Sequence, residues 1–500
     1  MGHQRFKEGT DRWGWRLLWL QVVLLACISV QRAGGQNAGP EQSLDAVKKE
    51  ALQNPQSFRL LEELSDQLGP RLTGSPQDSR AGLWALETMR KIGLQNVRPE
   101  TWQLERGWRR RYARCHLISP FPLELIVASY GWAGSTPGRD TEADVVRVDG
   151  DALAGEVRKS SAWAGKVLLV APKDPKHSDA MRMLAQLPAF LAAAADSRAV
   201  AIILRNRRPG TALPHTGPLG FPCRSTSIAV IDMAEEQEGL LIRILASGVP
   251  VRLRIDVLNE FTDGPVLSSN IVGEVVGSRY PEQIVLLGAH LDSWDLGTGA
   301  IDDGFGVAAV LGAAKSIVAS ATKPDRTIRF VLFTGEEQGL LGSRAYTRAH
   351  QGELKDFVCA LILDWGNGPI TKLPVHGHTE LAAPLEEFLH SVGEVAKVEA
   401  SSGYLTYTDA YSFIFAGVPA IAPLQNSMNY TTWGHSAADT LDKVDAEILT
   451  RNSAMLALTG IWIANYSTRL GVMWTPARTA QELNNQQTSL ELLGLWPFPK

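Results

Sequence analysis

The sequence indicates an α/β fold: a mostly parallel, mixed sheet, flanked by helices and interrupted by a second α/β unit. From Ser269 onward, short apolar runs typical of strands alternate with helical runs, as they do around parallel sheets. Residues 117–261 differ, with short strands, one helix and a composition rich in Arg, Pro and Gly. The 500 residues, 45% hydrophobic and 20% charged, are ordinary globular composition. At about 150 residues per domain, this length predicts roughly two to four domains.

Charge and cysteine content exclude several classes of function. Lys and Arg number 49 and Asp and Glu number 53, which gives a net charge of −4. This near balance lacks the basic excess of nucleic-acid-binding proteins, so no nucleic-acid partner is expected. The 4 cysteines are too few for a disulfide scaffold.

The first 35 residues have the pattern of a secretory signal peptide. Basic residues precede an apolar run over 17–30, and the small residues Ala33, Gly34 and Gly35 follow it. At about 1.5 Å per residue this run covers about 21 Å, short of the hydrocarbon core of about 30 Å. We therefore expect a secreted or periplasmic protein without a stable membrane span after signal removal. Two alternatives stay open: a short membrane anchor and a lipoprotein. The second is suggested by Leu24-Leu25-Ala26-Cys27, which loosely fits a lipid-attachment sequence.

Residues 40–116 are expected to form the N-terminal part of the main domain. A helical pattern over 43–64 stops at Gly69-Pro70, and a second amphipathic helix is predicted over 79–92. The inserted unit then occupies residues 117–262. Its predicted strands and its helix are, in chain order, strands 166–170, 199–204 and 227–231 and helix 235–246.

The main domain resumes over residues 263–470. Its predicted strands are 270–276, 283–289, 327–333, 357–363 and 418–423. Its predicted helices are 304–319, 338–350, 383–392 and 446–466. Residues 471–500 indicate a loose C-terminal tail with one short helix.

Ionisable residues follow three of these strands directly. His290 ends the first of the three, Glu336-Glu337 follows the second, and Asp364 follows the third. In open α/β sheets, ligands bind beyond the carboxyl ends of the strands, so these side chains should meet in one crevice. A glycine-rich loop that contains Asp302 and a later loop that contains His435 are expected to contribute as well.

An imidazole among clustered carboxylates suits zinc, manganese or cobalt better than copper(I) or an iron–sulfur cluster. Without a cation, so many converging carboxylates would repel one another. Two metal ions about 3.5–4 Å apart, bridged by one carboxylate, would resolve this repulsion, clamp a water molecule and lower its pKa. One carboxylate must then stay free as a general base, and the Glu336-Glu337 pair can supply both a ligand and the base.

On these motifs the sequence resembles the di-zinc aminopeptidases and carboxypeptidases of the M28 type. The resemblance runs from about residue 61 to 466. It is carried by Gly69-Pro70-Arg71-Leu72-Thr73-Gly74-Ser75, Gly288-Ala289-His290-Leu291-Asp292-Ser293-Trp294-Asp295, Gly299-Ala300-Ile301-Asp302-Asp303-Gly304, Glu336-Glu337-Gln338-Gly339, Asp364, His435-Ser436 and Asp439-Thr440.

The resemblance implies a zinc exopeptidase-like fold with two Zn2+ ions per chain. It implies that His290 and Asp364 bind one ion, that Glu337 and His435 bind the other, and that Asp302 bridges both.

The same resemblance implies roles next to the metal ions. Glu336 would be the general base and then the proton donor to the leaving amine. Asp292 would orient the imidazole of His290. The peptide bond between Asp302 and Asp303 is expected to be cis, and Asp303 itself is interpreted as a helix N-cap. The insert is expected to be a protease-associated domain packed beside the site.

Other polar residues near these motifs have less defined roles. Asp409 could face the substrate, brace the site or cap a helix. Tyr430 could donate to the tetrahedral oxyanion. Asp295 is interpreted as a turn residue, and His376 and His378 as structural or surface residues.

The sequence therefore predicts a zinc-dependent exopeptidase that hydrolyses short peptides or dipeptides. Two other functions stay open: a glutaminyl cyclase-like acyl transferase with one zinc, and a non-catalytic receptor-like ectodomain. The expected partner is a peptide substrate, and a homodimer stays open. The side-chain preference and the end of the peptide that is attacked are not predicted.

Overall fold

The structure is a computed structural model that describes residues 1–2, 40–172, 180–204, 213–393, 399–401, 408–492 and 494–498. Apart from residues 1–2, the predicted signal peptide, with Cys27, lies outside the described residues. Within the described ranges, no helix has the length and apolarity needed to cross a bilayer.

Strands and helices alternate along most of the chain. The strands are β1 (Gln95–Leu104), β2 (Trp108–Ser119), β3 (Leu123–Leu125), β4 (Val127–Ser129), β5 (Thr141–Asp149), β6 (Val167–Ala171), β7 (Ala201–Leu204), β8 (Ala229–Met233), β9 (Arg252–Phe261), β10 (Val266–Val275), β11 (Tyr280–His290), β12 (Arg326–Phe333), β13 (Phe357–Ile362), β14 (Ile370–Pro374), β15 (Glu399–Ser401), β16 (Ala420–Ile421) and β17 (Leu424–Gln425). The helices are α1 (Pro40–Gln53), α2 (Ser57–Glu62), α3 (Pro76–Ile92), α4 (Leu153–Val157), α5 (Ala180–Asp196), α6 (Glu235–Ala246), α7 (Phe305–Ala319), α8 (Leu341–Ala349), α9 (Ala382–Ser391), α10 (Ala410–Phe415), α11 (Tyr430–Trp433), α12 (Ala446–Asn465), α13 (Pro476–Glu482) and α14 (Gln487–Leu492).

The first sheet is mixed and mostly parallel, as predicted. In the part of the chain that the structure describes, its strand order is β1–β10–β12–β11–β13–β16. Strands β12, β11, β13 and β16 run parallel to one another. Strand β10 runs antiparallel to β12, and β1 runs antiparallel to β10. The parallel strands therefore end at one edge of the sheet.

Helices cover both faces of this sheet. In β11, Val285 and Leu287 point into a core with α1, α7 and α12, while Ile284 and Leu286 point into a second core with α8 and α10. Burial on both faces explains why the central strands are almost entirely apolar. A small sheet, ordered β15–β14–β17, lies in the chain between β13 and α11.

A second sheet occupies the middle of the chain. Over the described residues its order is β3–β2–β9–β5–β6–β7–β8–β4, with β5 to β8 parallel and the other pairs antiparallel. It begins at Trp108 rather than at the predicted boundary of 117, because β2 pairs with β9 from Trp108 onward. The chain leaves the first sheet at Leu104 and returns at Val266, and these two residues are paired. The insert is thus an extension of one antiparallel pair.

Two predicted segments differ from the structure. The helix expected over 43–64 is divided into α1 and α2, because Pro55 cannot donate a helical hydrogen bond and disfavours helix at the residue before it. The C-terminal segment, expected to be a loose tail with one short helix, contains α13 and α14. Its residues Leu483, Leu490 and Leu495 are buried in the core beside α8 and α10, which orders the segment.

Candidate metal centre

Three neighbouring strand ends bring the predicted residues together. His290 is the last residue of β11 and is paired in register with Phe333, the last residue of β12. Glu336 and Glu337 follow β12 after a turn at Gly335. The φ of Gly335 is +77°, a backbone conformation that glycine adopts without strain. A Cβ atom on Gly335 would lie 2.7 Å from the Trp102 ring, so a residue with a side chain at this position would also clash with Trp102. Asp364 follows β13.

Asp302 enters the same space from the loop between β11 and α7. The backbone N–H of Ile301 donates to Asp439 at 2.7 Å, which fixes the loop just before Asp302. The Asp302–Asp303 peptide bond is cis, as the resemblance implies. The Asp303 carboxylate accepts hydrogen bonds from the backbone N–H of Gly306 at 2.8 Å and of His290 at 3.2 Å. Asp303 therefore caps the start of α7, as expected, and also ties it to β11.

The first cluster consists of His290, Asp302 and Asp364, and all three are buried. Nε2 of His290 lies 3.2 Å from Oδ1 of Asp302 and 3.5 Å from Oδ1 of Asp364. One ligand atom from each residue lies within 4.8 Å of the others, so a single metal ion could contact all three.

The second cluster consists of Asp302, Glu337 and His435. Nε2 of His435 lies 3.1 Å from Oδ2 of Asp302 and 3.1 Å from Oε2 of Glu337. Asp302 thus offers one carboxylate oxygen to each cluster, which is the arrangement of a bridging carboxylate.

The donor atoms of both clusters fit zinc. Donors at about 2.05 Å from a tetrahedral zinc ion lie about 3.3 Å from one another, and the four distances between 3.1 and 3.5 Å agree with that spacing. The buried atoms Nε2 of His290, Oδ2 of Asp302, Oε1 of Glu337 and Oδ2 of Asp364 have no hydrogen-bond partner among the described residues. Buried polar atoms without partners are costly, and a shared cation would satisfy them.

Asp292 connects His290 with the Glu336 segment. Its backbone carbonyl lies 2.9 Å from Nδ1 of His290, and its carboxylate lies 3.6 Å from the same nitrogen. The carboxylate accepts hydrogen bonds from the Glu336 backbone N–H at 3.3 Å and from the Thr73 hydroxyl at 2.8 Å. The main chain of Asp292 therefore contacts the imidazole of His290, and the side chain of Asp292 contacts the backbone of Glu336.

Glu336 is buried but belongs to neither cluster. Burial raises its pKa well above the usual range for a glutamate, and the nearby carboxylates of Asp364 and Glu337 raise it further. Glu336 therefore lies beside the potential ligands without being one of them.

Arg71 has a structural role that the sequence reasoning missed. Its fully buried guanidinium donates to the backbone carbonyls of Leu291 at 2.7 Å, Thr298 at 2.8 Å and Gly299 at 2.9 Å. Burial lowers the pKa of Arg71 to about 10. Arg71 thereby braces both sides of the loop that carries Asp302. The sequence signal for this role is the place of Arg71 within the Gly69–Ser75 motif.

The remaining predicted residues lie around this centre. Asp409 is buried just before α10, and burial raises its pKa to about 8. Tyr430 is buried, with its ring 5.5 Å from that of Trp365. Asp295 forms an ion pair with Arg110 of β2 at 2.8 Å. His376 and His378 are buried, and the His378 ring stacks on Trp474 at 3.7 Å, which agrees with a structural role.

Comparisons of this chain with protein families, with curated proteins and with solved structures all point to the same family. The profile of peptidase family M28 matches residues 270–459. Carboxypeptidase Q of Homo sapiens is 28% identical over 82% of this chain and 85% of its own length. The solved structure of a peptidase M28 precursor from Shewanella amazonensis has a TM-score of 0.77 and 31% identity, over 87% of this chain and 99% of its own. A zinc aminopeptidase from Bacillus subtilis shares the fold, with a TM-score of 0.61 and 19% identity over 83% of this chain and 97% of its own.

Proposed function

Because this chain belongs to peptidase family M28, we propose that it is a zinc-dependent exopeptidase that hydrolyses short peptides or dipeptides. This membership agrees with the resemblance that the motifs carry. The observation that supports the two-metal form of the proposal is the position of Asp302, whose two carboxylate oxygens approach His290 and His435 separately.

The two clusters supply the ligands in this proposal. His290 and Asp364 hold one zinc ion, Glu337 and His435 hold the other, and Asp302 bridges them. When bound, the two ions supply Lewis-acid chemistry: they polarise the peptide carbonyl and lower the pKa of a water molecule.

Glu336 moves the proton. It accepts a proton from the attacking water molecule and delivers it to the nitrogen of the leaving amine as the C–N bond breaks. Its side chain is buried, and the hydrogen bond between its backbone N–H and Asp292 fixes the start of its segment. Asp292 thus positions both Glu336 and His290.

Two further residues are assigned around the substrate. In this proposal the hydroxyl of Tyr430, a buried residue in the segment before His435, donates a hydrogen bond to the oxyanion that forms at the carbonyl. Asp409 is only 1% exposed, which favours bracing of the site over direct contact with an open substrate pocket.

The insert, which contains the second sheet, corresponds in this proposal to a protease-associated domain beside the site. The support is its contact with the centre: Thr216 hydrogen-bonds His435, and Arg110 binds Asp295. The pattern of the first 35 residues supports export to the cell exterior or the periplasm.

Metal content and peptide hydrolysis test the proposal together. Purified protein should contain two zinc ions per chain and release free amino acids from unblocked dipeptides, and a chelator should abolish this release. One zinc per chain would favour a cyclase-like acyl transferase, and none would favour a receptor-like ectodomain. Blocking either end of the dipeptide shows which terminus is required.

A further inference from the structure

We propose that the insert between β1 and β10 completes one of the two metal sites. Its residues Arg110 and Thr216 position His435, and it holds Trp294 of the main domain, which positions Glu337, whereas the His290–Asp364 site forms without these contacts. This inference rests on the proposed function, because it assigns separate supports to the two zinc sites.

The first support acts on the imidazole of His435. Nδ1 of His435 lies 3.2 Å from the backbone carbonyl of Thr216, and the backbone N–H of Thr216 donates to the carbonyl of His435 at 2.9 Å. The neighbours His215 and Ser436 form a β-bridge. When Nδ1–H donates to Thr216, the lone pair of Nε2 faces Asp302 and Glu337, which is the tautomer that a metal ligand needs.

Arg110 fixes Thr216 against the main domain. Its guanidinium donates to the Thr216 hydroxyl at 2.9 Å and to Oδ1 of Asp295 at 2.8 Å. It also donates to the Ser129 hydroxyl at 2.8 Å, and it contacts the Ser129 carbonyl. The Arg110 side chain is only 10% exposed, so these contacts are largely shielded from water. One guanidinium therefore connects the second sheet with the loop that follows β11.

The second support acts on the carboxylate of Glu337. The indole N–H of Trp294 donates to Oε2 of Glu337 at 2.6 Å. Residues of the insert hold that indole: the Trp132 ring packs edge-on against it at 6.4 Å and stacks on Trp108 of β2 at 5.9 Å. A Cβ atom on Gly131 would lie 2.3 Å from the Trp294 ring, so the backbone presses directly on it.

The other cluster has supports of its own within the main domain. Nδ1 of His290 meets the carbonyl of Asp292, and the His290 backbone N–H donates to Asp303. Among the described residues, the ion pairs of His290 are with Asp292, Asp302 and Asp364. These partners lie outside the second sheet. Loss of the second-sheet contacts should therefore weaken one site selectively.

Two single-site backgrounds isolate the effect. Asp364→Asn leaves the Glu337–His435 site, and Glu337→Gln leaves the His290–Asp364 site. Each background is combined with Arg110→Ala, and zinc affinity is measured by equilibrium dialysis of metal-free protein. Because loss of a residue that orients a ligand costs about 10- to 100-fold in metal affinity, we expect that loss in the Asp364→Asn background. In the Glu337→Gln background the affinity should stay within about twofold.

Arg111→Ala is the matched control, because Arg111 lies next to Arg110 on β2 and pairs with Glu260 at the surface. It should leave zinc affinity unchanged in both backgrounds. If Arg110→Ala prevents folding, Trp294→Phe replaces it, since it removes only the donor to Glu337 and keeps an aromatic ring against Trp132. Equal losses in both backgrounds, or no loss in either, would overturn the inference. Absence of zinc from the wild-type chain would instead overturn the proposed function, and this inference with it.

Discussion

His290 and His435 face opposite oxygens of one carboxylate, that of Asp302, at 3.2 and 3.1 Å. The two imidazoles come from a strand end and from a distant loop, so Asp302 is the residue that links the two clusters. Removal of this carboxylate should therefore affect both sites at once.

Asp302→Ala should lose both zinc ions, because each site loses one of its three protein ligands and the link to the other site. Metal analysis after dialysis measures the loss, and Asp45→Ala, an exposed change on α1, is the control. Retention of two zinc ions per chain in Asp302→Ala would contradict the bridging role.

Glu336→Gln should keep its zinc and lose hydrolysis. The amide has nearly the shape of the carboxylate but cannot accept the proton, and general-base catalysis contributes about 10²- to 10⁴-fold to the rate. The kcat for an unblocked dipeptide and the zinc content, measured on one sample, separate catalysis from binding. A kcat within about tenfold of the wild type would be inconsistent with a general base.

Asp292→Asn should lower kcat by about 10- to 100-fold. The carboxylate accepts one hydrogen bond on each oxygen, and in the variant an NH2 group would replace one of these acceptors and face a donor. Thr73→Val removes one of those donors and leaves the Glu336 contact intact, so its effect should be smaller. Steady-state kinetics with dipeptide compares the two variants. Equal effects would show that the Glu336 contact carries no part of the role.

Arg71→Lys should destabilise the fold by about 2–4 kcal/mol, because an ammonium group cannot reach all of the buried carbonyls that the guanidinium binds. Denaturant unfolding measures the difference. Arg90→Lys, an exposed change on α3, should stay within about 0.5 kcal/mol of the wild type. An Arg71→Lys protein as stable as this control would show that the brace is dispensable.

His350 should contribute stability that is lost in alkaline solution. Burial alone would lower its pKa, but hydrogen bonds to Glu100 and Glu353 raise the pKa to about 9. Because the folded value lies above the model-compound value of about 6.5, the contribution is complete below about pH 6.5 and disappears as the pH rises through about 9. The Tm difference between wild type and His350→Gln should therefore shrink between pH 6.5 and 10.

His390→Gln is the control variant, because His390 is exposed and its Nδ1 contacts the backbone carbonyl of Glu386 in its own helix. A His390→Gln series should show no comparable change in the Tm difference near pH 9. A wild-type advantage over His350→Gln that stayed constant from pH 7 to 10 would refute the ion-pair explanation.

The sequence predicted the central strands well, and the structure brings the predicted ligand candidates at their ends together, for a physical reason. A strand that is buried on both faces, such as β11, must be apolar throughout, and the first polar residue marks its end at His290. Helix α6 was predicted with its exact bounds, Glu235–Ala246, because acidic residues fill its first turn.

Strands β1 and β2 were not predicted, because neither is buried along its length. Their polar and Arg-rich sequences show no apolar run, and only pairing with distant strands makes them extended. The contact between Thr216 and His435 had no local signal either, since 219 residues separate the two. Tertiary packing alone creates such pairs.

Leu104 and Val266 are paired, so the inserted region leaves and rejoins the main sheet at neighbouring positions. Because its two ends are neighbours across β1 and β10, a short turn could join them without shifting the register of the main sheet. A change in the inserted region would then alter the surroundings of His435 and leave the strand end at His290 in place.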